Sequence, residues 1–372
     1  MLESTNHSVL VCQKEEIVKN VLKGLVAAGL TMSILVGCGG APSTDAGTTD
    51  ATATDQAAGV KEEAIGDYVT PVKEGVITLP GFTFTLPEDL ASVKAVIQIA
   101  HGMAEHLERY EPFADVLCAN GFAVYINDHV GHGKSVKNDD ELGYFGKKDG
   151  WQNFIGDCRK LMETAQSEFP GKPYIFFGHS MGSFVSRAFS AKYASDLAGA
   201  VFCGTAGPNP AAAAGIVIAN LISKLKGDHY RSKMIDNIAF GTYNKRTPGR
   251  TPFDWLSRDE FQVDKYIADP YCGFLFTANG YRDMFTLLNY VSGKEWFPSY
   301  DKELPVLLLA GGDDPVGPYG DGVKKVRDLL AANGKKNITM HIYEGGRHEI
   351  LNESALFDTV CKDLIDWANS II

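Results

Sequence analysis

Ser180 lies within Gly178-His179-Ser180-Met181-Gly182, directly after the apolar run at 173–177 and before a helix-competent stretch at 184–194. A serine in a G-x-S-x-G string between a strand and a helix stands on a sharp turn that lifts its hydroxyl above the sheet edge. The string alone is a weak signal, since a glycine-rich chain meets it by chance, and its placement is what gives it weight. Serine is a poor nucleophile near neutral pH. It needs a base within hydrogen-bond reach, and that base needs an acceptor that fixes its tautomer. The strand-like run at 306–310 delivers two candidate acceptors, Asp313 and Asp314, in Gly311-Gly312-Asp313-Asp314-Pro315-Val316-Gly317. The run at 338–343 is followed by Glu344-Gly345-Gly346-Arg347-His348-Glu349, which leaves His348 on a loop as the candidate base. Upstream, the run at 95–100 leads into His101-Gly102-Met103-Ala104-Glu105-His106. The backbone N–H groups of Met103 and Met181 are the expected oxyanion donors, each lowering the barrier by about 3–4 kcal/mol. The chemistry these residues predict is acyl transfer through an acyl-serine.

These residues need elements to hold them. Strand-like runs at 76–79, 82–86, 95–100, 122–126, 174–177, 197–203, 306–310 and 338–343 alternate, after the first two, with helix-like runs at 110–120, 151–169, 181–194, 323–332 and 355–371. Such alternation predicts an α/β fold, a mostly parallel sheet with helices on both faces. Sites in such sheets lie at the carboxyl ends of strands, where Met103, Ser180, Asp314 and His348 all fall. The order serine, acid, histidine is that of the α/β-hydrolase fold. An insert at about 205–300 breaks the alternation and predicts a helical cap. It holds an apolar helix at 211–225 and many aromatic residues, among them Tyr243, Trp255, Tyr266 and Phe276. Most of these hold the cap together; over an ester site they would also give an acyl chain a dry place to lie.

From about residue 75 to 372 the chain resembles the serine hydrolases grouped as monoacylglycerol lipases and lysophospholipases. The resemblance rests on His101 to His106, Asp128-His129-Val130-Gly131-His132-Gly133, Gly178 to Ser183 and Gly311 to Gly317. It extends to Trp255-Leu256-Ser257-Arg258-Asp259, Val263-Asp264 and Asp269-Pro270 in the cap. The family pattern G-x-x-D-x-V selects Asp314 over Asp313. The resemblance implies a Ser180–His348–Asp314 triad, no cofactor, and a cap helix at 211–225 that presents apolar surface to lipid. Val130 departs from the family, whose second string carries arginine at that place. This puts the packing of that loop in question and leaves the triad untouched.

With 45% hydrophobic and 22% charged residues, most of the chain has the composition of a globular protein with a large core. A formal charge of −11 and a pI near 5.3 argue against a nucleic-acid partner. The first residues differ. The apolar stretch at 25–36 follows Lys19 and Lys23 and ends in Leu35-Val36-Gly37-Cys38. Twelve helical residues reach about 18 Å, short of a hydrocarbon core of about 30 Å, which suits a signal peptide. The ending resembles a bacterial lipobox. Residues 1–37 are therefore expected to be a lipoprotein signal peptide, Cys38 the lipidated residue, 38–65 a flexible tether, and 66–372 the hydrolase domain. Because 37 residues are long for such a leader and Glu15 and Glu16 spoil its basic start, translation is expected to begin near Val18. This places the protein at the extracytoplasmic face of a cell membrane.

Cys118, Cys158, Cys203 and Cys361 sit in apolar runs and read as buried thiols, Cys272 stays undecided, and Cys12 goes with the leader. Three further strings fail. Gly131 to Ser135 lacks the first glycine of a phosphate loop, His348-Glu349-Ile350-Leu351-Asn352 ends in Asn where H-E-x-x-H needs histidine, and His101 to His106 misspaces H-x-x-E-H. No metal site is supported. His101, His106, His129 and His132 lie out of the required order and are expected to shape the early loops. The resulting expectation is a serine hydrolase of acyl-lipid esters. The rivals are a serine aminopeptidase or short-chain esterase, with Glu105 or Asp259 binding an amino terminus, and a non-catalytic binding lipoprotein.

Overall fold

The computed structural model describes residues 92–372 and the strand backbones at 76–79 and 82–85. The expected signal peptide, tether and Cys38 lie outside the described residues. Eight strands are described: β1 (Val76–Leu79), β2 (Phe82–Thr85), β3 (Ala95–Ala100), β4 (Phe122–Asn127), β5 (Tyr174–His179), β6 (Gly199–Cys203), β7 (Val306–Gly311) and β8 (Ile338–Tyr343). They form one sheet in the order β1-β2-β4-β3-β5-β6-β7-β8. The six strands β3 to β8 are parallel, and β1 and β2 add antiparallel at the β4 edge. The strands β3 to β7 are buried throughout, which is why they read as unbroken apolar runs and not as alternating ones. The polar Gln98 is kept in β3 because Tyr174 donates to its Oε1 at 2.7 Å and its Nε2 donates to Cys158 O at 3.1 Å.

The helices outside the cap are α1 (Glu111–Ala119), α2 (Trp151–Glu168), α3 (Met181–Lys192), α9 (Asp321–Ala332) and α10 (Phe357–Ile371). On one face, Phe113 and Leu117 of α1 and Leu364 and Trp367 of α10 pack with Ile97, Val124, Phe177 and Leu307. The run expected at 197–203 begins as a strand only at Gly199, since Leu197 closes a 3-10 turn on Ala194 O at 3.1 Å. That turn also ends α3 at Lys192, short of the expected 194.

Between β6 and β7 the cap contributes α4 (Ala211–Lys226), α5 (Lys233–Phe240), α6 (Glu260–Ala268), α7 (Ala278–Ser292) and α8 (Trp296–Ser299). Capping side chains set its helix starts: Ser232 for α5, Asp259 for α6 and Thr277 for α7. Helix α4 lies on α7, and Gly215 is the point of close approach, where a Cβ would stand 2.8 Å from the Phe285 ring. Its far side leaves Val217 55% exposed. Among the described residues no helix is long and apolar enough to cross a membrane. Cys158, Cys203, Cys272 and Cys361 are buried thiols, whereas Cys118, expected to be buried, is only half-buried.

Candidate active site

Ser180 follows the last residue of β5 and precedes the first of α3, with φ 56° and ψ −122°. This is a costly conformation for a non-glycine residue, and such strain is held only where neighbours determine it. The two glycines of the string make it possible. A Cβ on Gly178 would come within 2.0 Å of Gly182 O, and one on Gly182 within 2.0 Å of Ala100 O. The turn is further tied down by Ser180 N–H donating to Cys203 O at 2.9 Å. The Ser180 side chain is half-buried.

Asp314 and His348 come together from the ends of β7 and β8. Both Asp314 carboxylate oxygens lie 3.0 Å from His348 Nδ1, and Asp314 is fully buried. Oδ1 also accepts Val316 N–H at 2.8 Å, which fixes the carboxylate plane. Asp313, the other candidate, is exposed, and its N–H donates to Gly346 O at 2.8 Å. The imidazole of His348 is packed between Trp255 of the cap, with ring centroids 5.2 Å apart, and Gly204, where a Cβ would stand 3.1 Å from Cε1. Gly204 has φ 58° and so needs glycine on two counts. Among the described residues His348 Nε2 is buried without a hydrogen-bond partner, so the bond to Ser180 Oγ is not made in this structure. Catalytic hydrogen bonds often close only with substrate bound.

Met181 is the first residue of α3, where a backbone N–H has no acceptor within the helix. Met103 follows Gly102, whose position is set against the nucleophile: a Cβ there would lie 3.1 Å from Ser180 Cβ. The loop that leads into Met103 thus approaches Ser180 at Gly102, and Met181 follows Ser180 directly.

A buried polar network, legible only in part from the sequence, holds these loops together. Glu105 Oε1 accepts Gly102 N–H at 2.5 Å and Tyr110 OH at 2.8 Å, while its Oε2 accepts Arg109. Arg109 also makes a two-pronged pair with Glu349, both contacts 2.7 Å. His179 Nδ1 lies 3.1 Å from Tyr110 OH, and its Nε2 lies 3.2 Å from His348 O. One cluster therefore touches residues adjoining Met103, Ser180 and His348. Burial opposes charge on Glu105, but Arg109 and His179 hold its carboxyl well below the usual range. Burial likewise opposes charge on His179, yet Glu105 and Glu349 raise its pKa. Glu349 and Arg109 carry no motif; only the fold brings 109 and 349 together.

The early histidines shape loops, as expected. His101 Nε2 accepts His129 N–H at 2.9 Å, and its Nδ1 lies 2.8 Å from Gly102 O. His132 stacks on Phe145 and meets Phe274 and Phe276 of the cap edge-on. Burial pushes the pKa values of His129 and His132 well down and that of His101 down. The loop carrying Val130 is closed without an arginine: Asp128 accepts Leu107 N–H at 2.9 Å and Lys134 N–H at 2.7 Å.

Sequence spacing supported no metal site, but the fold brings His106, Asp269 and Cys272 within 4.8 Å of one another through their ligating atoms. His106 and Asp269 already satisfy each other at 2.8 Å, and the Arg109 guanidinium disfavours a further cation there.

A family model described as serine aminopeptidase, S33, matches residues 91–355. The chain is 28% identical over 283 residues to a monoglyceride lipase of Rattus norvegicus, covering 74% of this chain and 82% of the relative. It is 26% identical over 276 residues to a monoacylglycerol lipase of Mycolicibacterium smegmatis, covering 74% and 88%. Among solved structures, a thermostable carboxyl esterase from Bacillus coagulans in complex with glycerol superposes with a TM-score of 0.74 at 29% identity, covering 80% of this chain and 98% of that one.

Proposed function

This chain belongs to the hydrolase family described as serine aminopeptidase, S33, and we propose on that premise that it cleaves acyl-lipid esters, monoacylglycerols or lysophospholipids, through Ser180, His348 and Asp314. It is a carboxylic ester hydrolase of the α/β-hydrolase fold. The observation that carries the residue assignment is the buried Asp314–His348 pair at 3.0 Å, beside a serine held on a strained elbow. In this reading His348 Nε2 takes the Ser180 proton as Oγ attacks the ester carbonyl, and the N–H groups of Met103 and Met181 receive the oxyanion. His348 then protonates the leaving alcohol, and water repeats the sequence on the acyl-serine. Asp314 keeps the proton of neutral His348 on Nδ1 and stabilises the imidazolium. The named relatives that act on monoglycerides support the substrate class.

The aminopeptidase reading needs a carboxylate to receive an amino terminus. Glu105 is 3% exposed and spends both oxygens on Gly102, Tyr110 and Arg109. Asp259 caps α6 and accepts Ser354. Neither is available as it stands, which favours the ester reading. Lipidation at Cys38 and a membrane location remain part of the proposal on the leader pattern alone.

Chain length tests the substrate class. If the cap takes the chain out of water, each methylene contributes about 0.8 kcal/mol, roughly fourfold in kcat/KM, until the pocket fills. Esters of p-nitrophenol should then improve from two carbons to at least eight, measured below their critical micelle concentrations. Acetate as the best ester, or faster cleavage of aminoacyl amides, would refute the acyl-lipid reading.

A further inference from the structure

Arg187, on α3, the helix that begins directly after Ser180, is fully buried yet has no carboxylate partner among the described residues. Its Nη1 donates to Ala206 O at 2.9 Å and lies 3.5 Å from Thr205 Oγ1, and its Nη2 donates to Val291 O at 2.5 Å. The guanidinium lies 4.7 Å from the Trp296 ring centroid and 5.8 Å from that of Phe297, while Nε is buried without a partner. Burying an unpaired charge is expensive, and a leucine would fill such a space without that cost. Something must offset it.

The acceptors identify what does. Ala206 lies where the chain leaves β6 for the cap, three residues beyond Cys203. Val291 lies in the last turn of α7, where the chain prepares to return to β7, and Trp296 and Phe297 form α8 on that return path. Carbonyls at a helix C-terminus lack intrahelical donors and carry the negative end of the dipole, so a cation is well placed at Val291. Burial pushes the Arg187 pKa down to about 9, which leaves it charged at neutral pH.

We infer that Arg187 is a positioning residue that fastens both hinges of the cap to the helix that follows Ser180, so that one guanidinium sets where the cap sits over the site. Its effect on substrate use rests on the reading that the cap supplies the acyl-chain pocket; its effect on the hinges does not. In Arg187→Met, which keeps the stem and removes the donors, amide exchange measured on the full chain should rise about tenfold or more at 204–208 and at 288–293 together, with the sheet core unchanged. The same variant should lose about tenfold in kcat/KM on p-nitrophenyl octanoate, chiefly through KM, while acetate hydrolysis stays within about twofold. Arg187→Lys, which retains a cation able to reach one carbonyl, should restore protection at one segment and recover part of the octanoate activity.

Uniform loosening of the sheet, or a rise at neither hinge, would overturn the inference. So would equal losses on acetate and octanoate in an enzyme that otherwise favours octanoate. If the native enzyme shows no preference for longer chains, the acyl-pocket reading falls, and the exchange data still decide the clamp. Should Arg187→Met fail to fold, Arg187→Lys carries the exchange test alone, and native protection at both hinges with native octanoate kinetics would refute the need for a two-pronged guanidinium.

Discussion

Replacing Asp314 by asparagine should cripple catalysis through the tautomer of His348, and the geometry dictates how. Asp314 Oδ1 accepts Val316 N–H at 2.8 Å, so the amide oxygen of an asparagine would keep that bond. Its NH2 group would then face His348 Nδ1, now 3.0 Å from both carboxylate oxygens. Two donors cannot share one bond, so Nδ1 must become the acceptor and the imidazole proton must move to Nε2. A protonated Nε2 cannot take the Ser180 proton. Reversal of this kind in a serine triad costs about 10⁴ in kcat, or about 5 kcal/mol of barrier. Asp313→Asn changes an exposed side chain and leaves the Asp313 N–H bond to Gly346 intact, so its kcat should stay within about twofold. Initial rates on p-nitrophenyl butyrate, with thermal melts to establish folding, decide the matter. A folded Asp314→Asn enzyme retaining a tenth of native kcat, or an equal loss in Asp313→Asn, would refute the assignment.

Stability should fall as pH drops from 6.5 to 5. The unfolded chain takes up protons near pH 6.5 that buried His129 and His132 refuse, at about 1.4 kcal/mol per pH unit for each, with His101 adding to the loss; His179, whose pKa is raised, acts above pH 6.5, where its stabilisation is lost as pH rises. His129→Phe, whose ring would join Phe154, should flatten the dependence of urea unfolding on pH by about one proton; an unchanged slope would rule this account out. Cys38→Ser should move the protein from membrane to soluble fractions with specific activity on soluble esters unaltered, and a variant that stays on membranes through a high-salt wash would show that another element anchors it.

The parallel sheet was legible in the sequence because its central strands are buried on both faces and so appear as unbroken apolar runs such as 306–310. Ser180, Asp314 and His348 were legible because each sits a few residues beyond such a run, and sheet topology then places neighbouring strand ends together. Strand ends were less clear. At 197–198 an apolar pair continues the pattern, while the backbone is still completing a 3-10 turn. The Glu105–Arg109–Glu349–His179 network was not legible as a unit, since Arg109 and Glu349 meet across 240 positions of sequence and neither follows a periodic pattern. Arg187 was hidden for a different reason: within a helix, a lone arginine reads as a solvated residue, and only the crossing of the two cap hinges makes it buried.

Whether Ser180 is the nucleophile is tested most directly by trapping the covalent intermediate. The native protein should react with a fluorophosphonate probe at one site, and peptide mapping by mass spectrometry should find the adduct on the peptide containing Ser180. Ser180→Ala should take up no probe, retain its fold, and keep about one part in a million of kcat on p-nitrophenyl esters. An adduct on any other residue, or ester hydrolysis above a few per cent in Ser180→Ala, would contradict the account.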